Sequence, residues 1–238
     1  FPAPFVPPIT KEEPLERNPA CRRCDLRNEA RSVCLPPAGD PGGLLTIGLW
    51  PGQAEDNAGL PNVGQSGTYL HREILRWWDG PIAHPNAANC TPGRRTNGVG
   101  PKHVDACRGY VAAYLRDVHP TRILALGEWA VYSLFGYKTS PMSARRGFGW
   151  LPNGAPIRCA CGASYAWRDG GPVCSRSARH DRPRAMPIPV IFLFHPAAAV
   201  RNRYLRPEFE GDLQWALETP DEEFQRRYFH VMGGHAHL

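Results

Sequence analysis

Cysteines, carboxylates and one histidine carry the reactive chemistry of this 238-residue chain. Cys21-Arg-Arg-Cys24 sets two thiols close enough to share a metal or cluster, and Arg22 and Arg23 favour the thiolate form or meet phosphate. A redox dithiol is the alternative. Such dithiols follow a strand in a βαβ unit, whereas this pair follows a proline-rich arm, which favours metal binding. Cys90 and Cys107, separated by sixteen residues, flank a turn-rich basic stretch, and Cys34 has no evident partner. Cys159-x-Cys161-x12-Cys174-x5-His180 offers four soft or borderline ligands in one loop, a donor set for structural zinc; free cysteines are the bland alternative. Glu55 and Asp56 follow a Gly48-x-x-Pro51-Gly52 turn and are candidates to position water, Glu55 first; loop charges or helix-dipole partners look the same in sequence. His195 ends an apolar run, which puts an imidazole at a strand end.

These residues need a frame. Leu44 to Leu49 reads as a buried parallel strand that Pro51-Gly52 must turn, and Tyr69, Leu70, Ile74 and Leu75 suit one helix face. Helical spacing resumes through Val104, Val111, Tyr114 and Leu115 and stops at Pro120. Arg122 to Leu126 is the next strand, Glu128 to Phe135 a helix closed by Gly136, and Pro189 to Phe194 the third buried strand. An apolar stripe through Phe209, Leu213, Trp215 and Leu217 predicts packed helices near the C-terminus. Alternating strands and helices imply an α/β fold with a central, mostly parallel sheet. One edge of that sheet would gather Gly48, Asn86, Gly127 and His195 into a cleft. Residues 1–19 read as an N-terminal arm and 20–238 as a single domain, with a Cys/His-containing insertion at about 152–187.

Lys plus Arg exceed Asp plus Glu, 28 to 22, and the isoelectric point near 9.0 favours an anionic partner, nucleic acid being the commonest. Hydrophobic content of 42% excludes general disorder, while 26 prolines and 24 glycines predict long loops. No apolar run reaches the roughly 18 to 20 residues of a membrane span, and FPAPFVPPITKEEP has no basic-then-apolar leader pattern. A cytoplasmic protein is expected.

Taken in order, Cys21-x-x-Cys24, Gly48-x-x-Pro51-Gly52-x-x-Glu55-Asp56, Gly59-Leu-Pro-Asn-Val-Gly-Gln-Ser-Gly67, Asn86, Cys90, Cys107, Leu126-Gly127, Arg146-Gly147 and His195-Pro-Ala-Ala-Ala-Val-Arg-Asn202 resemble the uracil-DNA glycosylase superfamily, in particular its iron-sulfur family 4. The resemblance covers most of the chain. It implies a three-layer αβα fold, base flipping and hydrolysis of an N-glycosidic bond in DNA. A monomer is expected. By the same resemblance Cys21, Cys24, Cys90 and Cys107 would hold a structural [4Fe-4S] cluster, His195 would donate to the departing base, and Asn86 would read its Watson–Crick edge. The bland alternatives are a satisfied histidine under a loop and a turn residue beside Pro85.

The departures define the pocket. Leu49 stands where the family usually has an acid, Trp50 where it has a small residue, and Asn62 where it has a Phe that stacks on uracil. Loss of that ring forfeits about 1 to 3 kcal/mol of stacking unless Trp50 supplies one. Gly48, Leu49, Trp50, Asn62 and Asn86 are thus the expected base-binding set. The expectation is a glycosylase for a bulky modified pyrimidine, with glucosylated hydroxymethylcytosine of phage DNA and antiviral defence as substrate and setting. Ordinary uracil excision in DNA repair is the first rival; a non-catalytic iron-sulfur DNA-binding protein is the second.

Overall fold

The computed structural model describes residues 18–34, 36–93, 98–138, 146–151, 161, 163, 165–168, 171–177, 179–180 and 185–234. Cys159 and almost all of the 1–19 arm lie outside the described residues. Contacts divide the chain into two units, Phe1–Gly147 with Ile191–Leu217, and Phe148–Val190 with Glu218–Leu238. The insertion expected at 152–187 falls in the second unit, together with the C-terminal helix.

In the first unit β1 (Ala38–Gly39) pairs antiparallel with β3 (Ile82–His84), while β2 (Leu44–Ile47) runs parallel to β3 and to β4 (Arg122–Leu126). The strand order is β1-β3-β2-β4-β8, where β8 (Ile188–Leu193) enters this unit at Ile191. Helices alternate with the strands: α1 (Gln53–Ala58), α2 (Gln65–Ile74), α3 (Pro101–Val118), α4 (Glu128–Phe135), α5 (Pro196–Arg201) and α6 (Arg206–Glu218). The fold is thus the expected three-layer α/β arrangement. Every residue of β2 and β4 is buried, which is why both read in sequence as continuous apolar runs rather than alternating ones. Successive connections leave β2 in opposite lateral directions, so its C-terminal end is where a crevice opens.

Local chemistry sets the element ends. α3 begins with Pro101 at its first position and with Gly100 N–H donating to His103 Nδ1 at 2.9 Å; it ends on His119 in left-handed conformation before Pro120. Glycines at 59 and 136 close α1 and α4 at positive φ. Three-residue β3 was invisible to periodicity, since it sits between Pro81 and Pro85 and is too short to show a pattern.

The second unit holds β5 (Phe148–Leu151), an antiparallel hairpin of β6 (Tyr165–Arg168) and β7 (Gly171–Cys174), and α7 (Asp221–Gly234). Buried Cys174, Tyr228 and Phe229 pack with Trp150, Trp167 and Met186 to form its core.

Candidate active site

Four strand ends meet around one cavity of about 500 Å³, within the range of small-molecule pockets. Its wall includes Gly48, Leu49 and Trp50 after β2, Asn86 after β3, Leu126 at the end of β4, and His195 after β8. The convergence expected from strand order is present. Gly48 N–H donates to Pro85 O at 2.9 Å and Gly48 O accepts from Ala87 N at 3.0 Å, so the two turns are locked by backbone. A Cβ on Gly48 would lie 2.6 Å from Asn86 Oδ1, which explains the glycine: only a bare backbone lets the amide stand this close. Gly127, at φ +92°, likewise brings the β4 turn against His195 and Leu49.

His195 caps α5, its Nδ1 accepting from Ala197 N–H at 3.2 Å. That bond assigns the ring proton to Nε2. Burial, with a smaller push from Arg201, lowers the His195 pKa to about 4, so the ring is neutral at physiological pH. It is therefore a hydrogen-bond donor through Nε2 rather than a cation.

Glu55 and Asp56 are neighbours with different duties. Glu55 lines the cavity; its Oε1 accepts from Gly64 N–H at 2.7 Å, and any Cβ at Gly52 or Gly64 would come within 3 Å of the carboxylate. Asp56 corrects the sequence expectation. It is absent from the cavity wall among the described residues, is only 2% exposed, and accepts from Arg31 N–H at 3.0 Å and Ser32 N–H at 2.8 Å. Two adjacent helix positions point to different sides, so one carboxylate faces the cavity while the other clamps the 31–32 segment.

Asn62 sits in the wall at φ +56°, a left-handed conformation that suits Asn better than bulkier residues. A Cβ at Gly67 would lie 2.7 Å from Asn62 Cα, so that glycine fixes the turn. Sequence reasoning assigns no role to several wall residues, Arg201 and Thr46 among them. Arg201, on the last turn of α5, also lines the cavity. Thr46 does too, and its Oγ1 lies 2.5 Å from His84 Nδ1, with His84 Nε2 3.2 Å from His71 Nδ1. Thr46 is the one polar residue in the LLTIGL run, and that was the available signal.

The same unit holds a thiol cluster. Cys90 and Cys107 are buried, and each feels the charge of Cys24 and Cys34; Cys90 also feels Cys21. Burial pushes both thiols up to about 12, with neighbouring thiols pushing the same way. Burial raises Cys24 and Cys34 as well. Thiols held protonated in this way give up their protons to a bound metal, and an all-cysteine donor set is the kind that holds iron-sulfur clusters. His103 Nε2 lies 2.9 Å from Asp25 Oδ1, which ties the residue after Cys24 to the helix that carries Cys107. Cys34, unassigned by sequence, gives its backbone N–H to Cys90 Sγ at 3.1 Å. In the second unit, Cys161, Cys174 and His180 have ligand atoms within 4.8 Å of one another.

The chain matches the Uracil DNA glycosylase superfamily over residues 38–217. It is 28% identical over 200 residues to the Type-4 uracil-DNA glycosylase of Pyrobaculum aerophilum, covering 81% of this chain and 86% of that protein. Against the Type-4 uracil-DNA glycosylase of Archaeoglobus fulgidus it is 25% identical over 202 residues, 82% of this chain and 85% of that one. With that match spanning the sheet, the cavity and His195, the chain belongs to the uracil DNA glycosylase superfamily and is an enzyme of the DNA glycosylase type.

Proposed function

We propose that this enzyme flips a bulky modified pyrimidine out of DNA and hydrolyses its N-glycosidic bond to leave an abasic site. Glucosylated hydroxymethylcytosine of phage DNA is the substrate we name, with defence against phage, in the cytoplasm and as a monomer, as the setting. The observation that carries the reading is the cavity wall, where Asn62 offers an amide in place of a stacking ring and Leu49 stands in place of an acid. About 500 Å³ exceeds what an unmodified pyrimidine ring fills, and Asn62, Gln65 and Ser66 supply polar groups for a sugar's hydroxyls.

The chemistry follows from charge development. As the bond from C1′ to the base nitrogen lengthens, the sugar becomes oxocarbenium-like and the base takes the electron pair. Neutral His195 donates from Nε2 to the departing base, a preorganised donor that costs no proton transfer. Asn86 hydrogen-bonds the base edge. Glu55, with Oε1 held by Gly64, keeps Oε2 to orient a water whose oxygen bonds C1′ and whose proton leaves for solvent. Exposed Arg203, beside Tyr204 which is 75% exposed, and Arg201 at the cavity offer phosphate contacts. Cys21, Cys24, Cys90 and Cys107 would hold a [4Fe-4S] cluster, which would cross-link the N-terminal loop to α3, the two segments that the contact of Asp25 with His103 already joins.

Ordinary uracil excision in base excision repair is the second reading, favoured by the names of the relatives. Duplexes carrying uracil, hypoxanthine or glucosylated hydroxymethylcytosine, scored for alkali-sensitive breaks, separate them. Breaks at the glucosylated base are expected. Breaks at uracil alone would overturn the substrate, and none on any duplex would leave a non-catalytic DNA-binding protein.

A further inference from the structure

We propose that Cys161, Cys174 and His180 bind a structural zinc ion that closes the base of the β6–β7 hairpin. The site is independent of the DNA chemistry and lies wholly in the second unit. Cys161 precedes β6 and Cys174 ends β7; their sulfurs are 3.6 Å apart, and His180 Nδ1 is 3.1 Å from the Cys174 sulfur. Tetrahedral zinc, with Zn–S about 2.3 Å and Zn–N about 2.0 to 2.1 Å, requires ligand atoms roughly 3.5 to 3.8 Å apart, so the three donors already stand near the vertices of such a site. They are too far apart for a disulfide, whose sulfurs sit at about 2.05 Å.

Two further features make this a built site. Backbone N–H groups of Arg176 and Ser177 donate to the Cys174 sulfur, so the CSRS turn wraps it as second-shell donors wrap a metal-bound thiolate. Cys174 is also 4% exposed and packed against Tyr228 and Phe229, which dries the inner side of the metal. A unit with so small a core is the kind that a metal staples. Three protein donors leave the fourth vertex to water or another side chain.

Metal analysis of the full chain, purified without oxygen and dialysed without added metal, is expected to find one zinc per chain. His180→Ala should lower zinc at least tenfold, whereas His180→Cys, which keeps a donor at that vertex, should retain it. Cobalt exchanged into the wild type should give tetrahedral d–d absorption, shifted in His180→Cys by the added thiolate. Zinc below a tenth of an equivalent in wild type, undiminished zinc in His180→Ala, a Cys161–Cys174 disulfide in the native protein, or identical cobalt spectra for wild type and His180→Cys would each overturn the site.

Discussion

Replacing Gly48 with alanine tests how the base pocket is assembled. The new methyl would lie 2.6 Å from Asn86 Oδ1, and ordinary contact begins at 3.4 Å, so the amide must retreat by about 0.8 Å. The backbone cannot yield instead, because Gly48 is bonded on both sides to the β3 turn, through Pro85 O and Ala87 N. A displacement approaching 1 Å of a positioning group costs on the order of 10²-fold in rate, or about 2.7 kcal/mol of transition-state stabilisation. Because the clash is with a side-chain tip, the fold should survive with a melting temperature close to wild type. Single-turnover abasic-site formation, on whichever duplex the wild type cuts, is the assay; thermal melts and iron content are the controls. A Gly48→Ala enzyme with wild-type rate and wild-type melting would refute the assignment of Asn86 to the base.

The two carboxylates should separate cleanly. Glu55→Gln should lose excision with little change in stability, whereas Asp56→Asn, which turns an acceptor into a donor facing a backbone N–H, should cost about 1 to 3 kcal/mol in urea melts and lower excision far less than Glu55→Gln does. Burial, aided by His71, lowers the His84 pKa from 6.5 to about 4. The unfolded chain therefore takes up a proton that the native state refuses until lower pH, and stability that is full above pH 6.5 declines as pH falls towards 4. Between pH 7 and 5 the His84 share is about 2 kcal/mol, and His84→Gln should flatten that slope; parallel slopes would refute it. Arg203→Ala should weaken DNA binding equally for all sequences and reduce the slope of log affinity against log salt by about one, read by titration at several salt concentrations.

Much of the site was legible because its parts lie at strand ends marked by Gly, Pro or His. The runs at 44–49, 122–126 and 189–194 show their burial directly, and right-handed alternation carries their ends to one edge. Sequence ranks Glu55 before Asp56 but cannot show what separates them, since that depends on which neighbour, Gly64 or the 31–32 backbone, each meets in space. Nor could it see the hydrogen bonds from Thr46 through His84 to His71, which join residues from two strands and a helix. The hairpin β6–β7 is hidden within the Cys/His-containing insertion expected at about 152–187, because strands of four residues carry no periodic signal of their own.

The back-to-back duties of Glu55 and Asp56 carry one more consequence. Asp56 grips Arg31 and Ser32 on the loop that runs from Cys24 to Cys34, and the next residue back faces the reaction chamber. With the cluster proposed on Cys21, Cys24, Cys90 and Cys107 in place, an oxidant that stripped its iron would slacken that loop, release Asp56, and let helix α1 drift with Glu55 aboard. Damage would then silence hydrolysis before the sheet itself came apart, and anaerobic reloading with iron and sulfide would bring the rate back.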